Sequence, residues 1–246
     1  MKGRARDVGK VTLQKGVLIL DGSKRSDLTT RQRYRLRFVK QGNLCFIGHR
    51  DLLRAIERLL RRARLPVAFS QGFHPKPRVS YLSALPLGFS SDDEAMELIL
   101  EEKLSCEELL TRLNSVSVPG LSFTRAVCLE EGGPKQQAFA FCYDMTIPSE
   151  LRDEVARRVE EFLAADSVEV VKANGKTVEA RPVVLDLRLD GSTLFMTIAA
   201  QSGPEAGVRE ILDYLNLDSQ LFRTIFPNRN RSIVVDELDE KATLLA

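Results

Sequence analysis

Positions 33–38 read Arg-Tyr-Arg-Leu-Arg-Phe, a strict alternation. Alternation of this kind predicts a strand with Tyr34, Leu36 and Phe38 facing a core and three arginines on the opposite face. Gln41-Gly42-Asn43 turns the chain, and residues 44–47 continue as a short strand. Gly48-His49 opens a helix over about residues 50–64, with Asp51 near the positive end of its dipole. Leu52, Ile56, Leu59, Leu60 and Ala63 form one apolar stripe at helical spacing, and Pro66 ends the helix. Apolar runs at 79–82 and 95–100 predict two strands, the capping box Ser105-x-x-Glu108 opens a second helix, and a strand is expected near 121–127. The order is βαββαβ.

The same order returns from Ala138. A strand runs through Met145, then a helix from Ser149 points Leu151, Val155, Val159 and Phe162 inward. Apolar strands follow at 183–189 and 193–198, then a helix carrying Val208, Ile211, Leu212 and Leu215, and a last strand at 232–235. The pattern predicts an α+β protein of two tandem ferredoxin-like (βαββαβ) modules, at 31–129 and 138–246. Residues 130–137, with two glycines and a proline, read as the linker. Residues 1–30 mix Lys, Arg, Gly, Ser and Asp around one short apolar run, and are expected to form a mobile basic arm.

Composition sharpens this picture through charge. The net charge is only +2, yet residues 1–90 carry 20 Lys/Arg against 5 Asp/Glu, and the remainder is acidic by 13. The first third is therefore the expected polyanion-facing part, unless its charges pair with the acidic remainder. No stretch approaches the roughly 18 uncharged apolar residues of a membrane span, and the basic N-terminus lacks the apolar core of a secretory signal, so a cytoplasmic location is expected. Cys45, Cys106, Cys128 and Cys142 are far apart and form no C-x-x-C pair, which reads as small buried hydrophobes rather than a metal, redox or disulfide framework. Three closely spaced cysteines, as a [4Fe–4S] cluster with an open iron would need, are missing. No metal or cofactor is expected.

The candidate chemistry concentrates in the segment from Phe46 to Gly88. Arg54, Arg58, Arg61 and Arg62 lie on or near one side of the first helix, opposite its apolar stripe, with only Glu57 among them. Forked guanidinium groups at that pitch suit successive phosphates, though a charged face can also be merely solvated. The loop Ser70-Gln71-Gly72-Phe73-His74-Pro75-Lys76-Pro77-Arg78 combines a permissive glycine with two stiffening prolines. It could present Phe73, His74, Lys76 and Arg78 to a phosphate or base, or serve as a plain connector. His49 and His74 are the only histidines, and as a pair they could act as acid and base in metal-free RNA cleavage; one capping and one bonding structurally is the plainer reading. The strand arginines are expected to be matched by Glu97 and Glu101 on the neighbouring strand. In the second module Lys172, Lys176 and Arg181 surround the Asn174-Gly175 turn, as a phosphate contact or a solvated hairpin tip.

Several runs resemble a bacterial family of unknown function associated with radical SAM enzymes, found alone or fused C-terminally to cobalamin-binding radical SAM proteins. They are Arg35-Leu36-Arg37-Phe38-x-Lys40-x-Gly42, Phe46-Ile47-Gly48-His49-x-Asp51-Leu52, Glu57-Arg58-x-Leu60-Arg61-Arg62-Ala63, and the run from Leu65-Pro66 through Gly72-Phe73-His74-Pro75-Lys76-Pro77 to Leu85-Pro86-Leu87-Gly88. A weaker signature runs from Gly175-Lys176-Thr177 to Arg181-Pro182. Where the family commonly has Ser before the histidine, this chain has Gly48, which removes a side-chain cap. The resemblance implies cooperation with a radical SAM enzyme on a separate chain, without established substrate or catalytic residues. Three readings follow: an accessory protein that binds tRNA or rRNA for that enzyme, a metal-independent RNA-processing endonuclease, or a protein-only scaffold docking the enzyme.

Overall fold

The computed structural model describes residues 12–14, 17–19, 31–130, 132–200, 206–217 and 226–235. Residues 1–30 make a unit of their own, in which β1 (Thr12–Gln14) pairs antiparallel with β2 (Val17–Ile19). The expectation of mobility for that arm lies outside the described residues.

From residue 31 the chain is a mixed α+β structure built on one large, mostly antiparallel sheet. In chain order it contains β3 (Gln32–Lys40), α1 (His49–Arg62), β4 (Val79–Tyr81), β5 (Ser90–Leu100), α2 (Cys106–Asn114), β6 (Leu121–Leu129) and β7 (Ala138–Thr146). There follow α3 (Arg152–Ala164), a small hairpin of β8 (Glu169–Val171) and β9 (Thr177–Glu179), then β10 (Val184–Asp190), β11 (Thr193–Ala199), α4 (Val208–Tyr214) and β12 (Asn228–Val234). The sheet runs β10-β11-β7-β12-β5-β3-β6, with β4 also paired to β5. Along the first half the spatial order is thus β6-β3-β5-β4, and along the second β12-β7-β11-β10. The two halves meet where β12 runs parallel to the start of β5; the other pairings in this sheet are antiparallel.

Burial explains the elements. In β3, Tyr34, Leu36 and Phe38 pack with Leu52, Ile56, Leu59 and Leu60 of α1 and Leu109 and Leu113 of α2. The second core joins Val155, Val159 and Phe162 of α3 to Met145, Leu187, Leu194 and Met196, and takes in Leu85 and Phe89 from the loop before β5. That loop therefore ties the halves together through apolar contact as well as through the sheet. Among the described residues no helix is long and apolar enough to cross a membrane.

Two local expectations change. Residues Gly42–Phe46 wind as a 3-10 helix rather than continuing as a strand, because Gly42 adopts a φ of 58° and Leu44 and Ile47 bond back to Gln41 and Leu44. β5 begins five residues earlier than its apolar run, so the polar stretch Ser90-Ser91-Asp92-Asp93-Glu94 is strand. Its hydrogen-bonding groups are used at the junction with β12, where polar side chains find partners.

The second face of β3 is as buried as the first. Arg35 is 4% exposed and Glu97 also 4%. Glu97 accepts from Arg33 Nε at 3.0 Å and from Arg35 Nη2 at 2.9 Å, and Glu101 accepts from Arg31 Nε at 2.8 Å. The cross-strand matching expected from the sequence is present at Glu97, while Glu101 meets Arg31 just before the strand and Arg37 meets Asp93 instead. At Arg33 this face meets the chain between β6 and β7, which leads from one edge of the sheet to the other half. Eight residues at about 3.3 Å each can span the four strand spacings of about 4.8 Å. On the way, the Gly133 and Pro134 carbonyls accept from Arg33 Nη1 and Nη2 at 2.7 and 2.6 Å.

A carboxylate shared by two buried guanidinium groups is costly to remove, because both cations keep their desolvation and lose a partner. Glu97→Gln should therefore lower unfolding stability by about 3–5 kcal/mol, measured as a shift of the urea unfolding midpoint at unchanged slope.

Candidate nucleic-acid interface

α1 is held by its apolar stripe, and at 100° per residue this leaves Arg50, Arg54, Arg58 and Arg61 within a narrow arc on the other side, with Arg62 at its margin. All five are exposed. Arg54 meets Asp51 at 3.5 Å in an exposed pair that contributes little, and Arg62 donates to the Val116 carbonyl at 2.8 Å. Among the described residues, no carboxylate lies within ion-pair distance of Arg58 or Arg61.

The contrast with α3 is informative. There Arg157 bonds Glu154 and Glu161, and Arg158 bonds Glu154 at 2.8 Å, so these two arginines are matched inside their own helix. The strand arginines are matched across the sheet. Among the described helices, α1 alone presents a run of guanidinium groups with so little acid beside it.

The loop after α1 is a small two-stranded arm. Glu101 N donates to the Pro66 carbonyl at 2.7 Å and Ala68 N to Ile99 at 2.8 Å, which fixes the arm's root against the end of β5. Arg78 N donates to Ala68, Phe69 bridges Pro77, and Ser70 N donates to the Lys76 carbonyl at 2.8 Å. Ser70 Oγ accepts from Lys76 N at 3.0 Å. The arm's tip is Gln71-Gly72-Phe73-His74-Pro75, turned at Gly72 with φ 132°, a conformation side chains resist. Phe73 has no covering residue at all, and His74, Lys76 and Arg78 are exposed around it. Since α1 runs directly into the arm's root, Arg61 and the arm share one end of the sheet.

Residues 33–209 match the family model described as "Uncharacterized protein conserved in bacteria (DUF2344)". The chain belongs to this family. Comparison with curated proteins finds no match. Among solved structures, an unknown protein from Galdieria sulphuraria is similar at 12% identity over 83% of this chain and 99% of its own, with a TM-score of 0.26. A microcompartments protein from Desulfitobacterium hafniense is similar at 10% identity over 85% and 98%, with a TM-score of 0.20. Neither likeness is close enough to bear on this fold or its use.

In this DUF2344 chain the predicted residues fall into three places rather than one. Arg54, Arg58, Arg61 and Arg62 and the Gly72–Arg78 arm form the first. His49 belongs to a second: it opens α1, where its ring meets Tyr81 edge-on at 5.9 Å. Tyr81 is five residues along the chain from Lys76, up to about 17 Å at strand rise, and among the described residues no contact joins His49 to the tip residue His74. The third is the β8–β9 hairpin, where Lys172 N donates to the Lys176 carbonyl around Gly175, and Arg181 sits 5.9 Å from the Phe162 ring centroid.

Sequence reasoning missed a buried polar cluster at the junction. Arg229 is 2% exposed, donates to Ser83 Oγ at 2.7 Å and Glu94 Oε1 at 3.1 Å, and lies over the Phe141 ring at 4.2 Å. Lys40 is 1% exposed, with only long contacts of 3.4 and 3.5 Å to the Ile47 and Phe89 carbonyls, and burial pushes its ammonium pKa down. A cavity of about 320 Å³ opens beside Arg229, walled by Phe141, Tyr143, Ser83 and Lys172. Nothing in the spacing of these residues joined them; only the polar start of β5 hinted at a partner. No group of three or more His, Cys, Asp or Glu among the described residues could hold a metal ion.

Burial also pushes the His49 imidazole pKa below its ordinary value, with Glu94 opposing. The unfolded chain then takes up a proton at higher pH than the folded chain, so stability falls as pH drops through about 6.5. His49→Gln should flatten that fall, measured as unfolding midpoints across a pH series.

Proposed function

We propose that this chain is a cytoplasmic accessory protein that holds an RNA, tRNA or rRNA, for modification by a separate radical SAM enzyme. The observation that carries this reading is the exposed guanidinium run on α1, with Arg58 and Arg61 meeting no carboxylate among the described residues, beside an arm whose tip carries a bare aromatic ring. By contrast Arg112, Arg157 and Arg158 meet carboxylates within their own helices, and Arg33, Arg35 and Arg37 meet them across strands. Phosphates would meet Arg54, Arg58 and Arg61, with Lys76 and Arg78 beside them, and Phe73 would stack on an unpaired base. Lys172, Lys176 and Arg181 lie in the other half and would make a secondary contact at most.

We read the two halves as tandem ferredoxin-like modules, residues 31–129 and 138–246, joined by 130–137. The support is that each half places its fourth and first βαββαβ strands side by side, followed by the third and second. The radical SAM partner rests on the family resemblance and on the absence of closely spaced cysteines, so the radical chemistry would belong to the other chain. A ribonuclease using His49 and His74 gains nothing from their separate positions. RNA cleavage in EDTA that either His49→Ala or His74→Ala abolishes would restore it.

Binding of total tRNA and rRNA across a salt series tests the main reading. Replacing Arg54, Arg58 and Arg61 together with Glu should flatten the slope of log affinity against log salt by about two to three. Phe73→Ala should weaken binding roughly 5- to 100-fold through lost stacking of about 1–3 kcal/mol. No binding at low salt, or binding indifferent to the triple variant, overturns the proposal; recovery of a radical SAM protein without RNA would instead favour the scaffold reading.

A further inference from the structure

The cysteines do not behave as four small buried hydrophobes. Cys45 is buried and Cys142 is half-buried, but Cys128 is exposed and Cys106 half-buried, and their sulfur atoms lie 3.8 Å apart. The two are 22 residues apart in sequence and meet only because α2 packs on β6. Cys106 is the first residue of α2, and Cys128 lies near the end of β6, a strand at the sheet's edge.

The backbone on both sides is held. Tyr34, paired with Cys128 across the β3–β6 ladder, uses its hydroxyl to donate to the Leu104 carbonyl and to accept from Leu104 N, both at 2.7 Å. Ser105 Oγ caps α2 by accepting from Glu108 N at 3.1 Å. At the other end of α2, Asn114 donates to the Phe123 carbonyl at 2.9 Å and accepts from Phe123 N at 2.8 Å. Helix and strand are thus pinned at both ends, and the two thiols are left facing each other. Closing their gap to a bond of about 2.05 Å asks for less than about 2 Å of sulfur movement, within reach of side-chain rotation.

We propose that Cys106 and Cys128 form a reversible intramolecular disulfide by exchange with a low-molecular-weight disulfide of the glutathione type. The exposed Cys128 thiolate attacks one sulfur of the small disulfide, forming a mixed disulfide and releasing one small thiolate. The Cys106 thiolate then attacks the Cys128 sulfur and expels the second small thiol. Two protein thiols lose two electrons and two protons in total, and the small disulfide gains both to become two thiols. The product staples the start of α2 to the edge strand. Burial, and then Cys106 itself, push the Cys128 thiol pKa up, with Lys103 opposing, so exchange accelerates as pH rises.

The test treats the folded full-length chain with oxidised glutathione, blocks remaining thiols by alkylation and maps the peptides by mass. The expected result is a Cys106–Cys128 disulfide without lasting glutathione adducts, Cys45 and Cys142 alkylated, reversal by dithiothreitol, and a thermal midpoint raised by several degrees in the oxidised chain. Cys106→Ser should retain glutathione on Cys128, because the resolving thiol is gone. The same treatment in urea should lose the selectivity among the four cysteines. The proposal is overturned by wild-type protein in which Cys106 and Cys128 both stay alkylatable, by a glutathione adduct on Cys128 that never resolves, or by preferential reaction of Cys45 or Cys142. Because the wild-type map decides the matter, a serine variant that fails to fold does not.

Discussion

Where β12 runs beside the start of β5, three successive acids of one half are each held by groups of the other. Asp92 accepts from Asn228 Nδ2 at 2.6 Å, Asp93 from Ser232 N at 3.0 Å, and Glu94 from Arg229 at 3.1 Å. Asp93 also accepts from Arg37 Nη1 at 3.1 Å, so the buried charges of β3 and the backbone of β12 share a carboxylate. Only two residue pairs of parallel ladder link the strands, and ladder alone would be a slight connection. Buried charges are expensive out of water, and once assembled they tolerate little rearrangement because each depends on its partner's position. The continuous sheet depends on this seam, and so does the Arg37 end of the buried arginine face.

That constraint also separates two uses of arginine. Arg33, Arg35, Arg37 and Arg229 are structural cations, surrounded by carboxylates or carbonyls and withdrawn from solvent. Arg50, Arg58 and Arg61 carry the same chemistry on a helix face with water in front of them. Desolvated guanidinium groups stabilise or destabilise a fold according to their partners, whereas exposed ones add almost nothing to stability and leave their hydrogen-bonding capacity for a ligand. The strongly basic first third of the chain is therefore two populations with different fates.

The stiff arm beyond α1 follows the same division. Its root is bonded to the end of β5 and its legs to each other, while its tip makes no contact that would account for an exposed phenylalanine. A ring in water costs free energy that nothing inside the molecule offsets. In the reading we propose, this ring and the adjoining cations would together meet a polyanion with unpaired bases. The thiol pair at α2 and β6 stands on the opposite side of the same economy of contacts: there the fold is pinned, and the pinning brings two reactive atoms together.

Much of this was legible in the chain itself. The alternation of β3, the stripe of α1 and the Ser105 cap are local patterns, and local periodicity is what a sequence records directly. The pairing of Arg33 and Arg35 with Glu97 followed too, since neighbouring strands in the expected order bring those positions opposite each other, whereas Glu101 meets Arg31 and Arg37 meets Asp93. The Arg229–Glu94 and Lys40 cluster, the linker bonded to Arg33, and the contact of Cys106 with Cys128 were decided only by tertiary structure. Each joins residues from 7 to 135 positions apart through packing of elements whose relative placement no local pattern encodes.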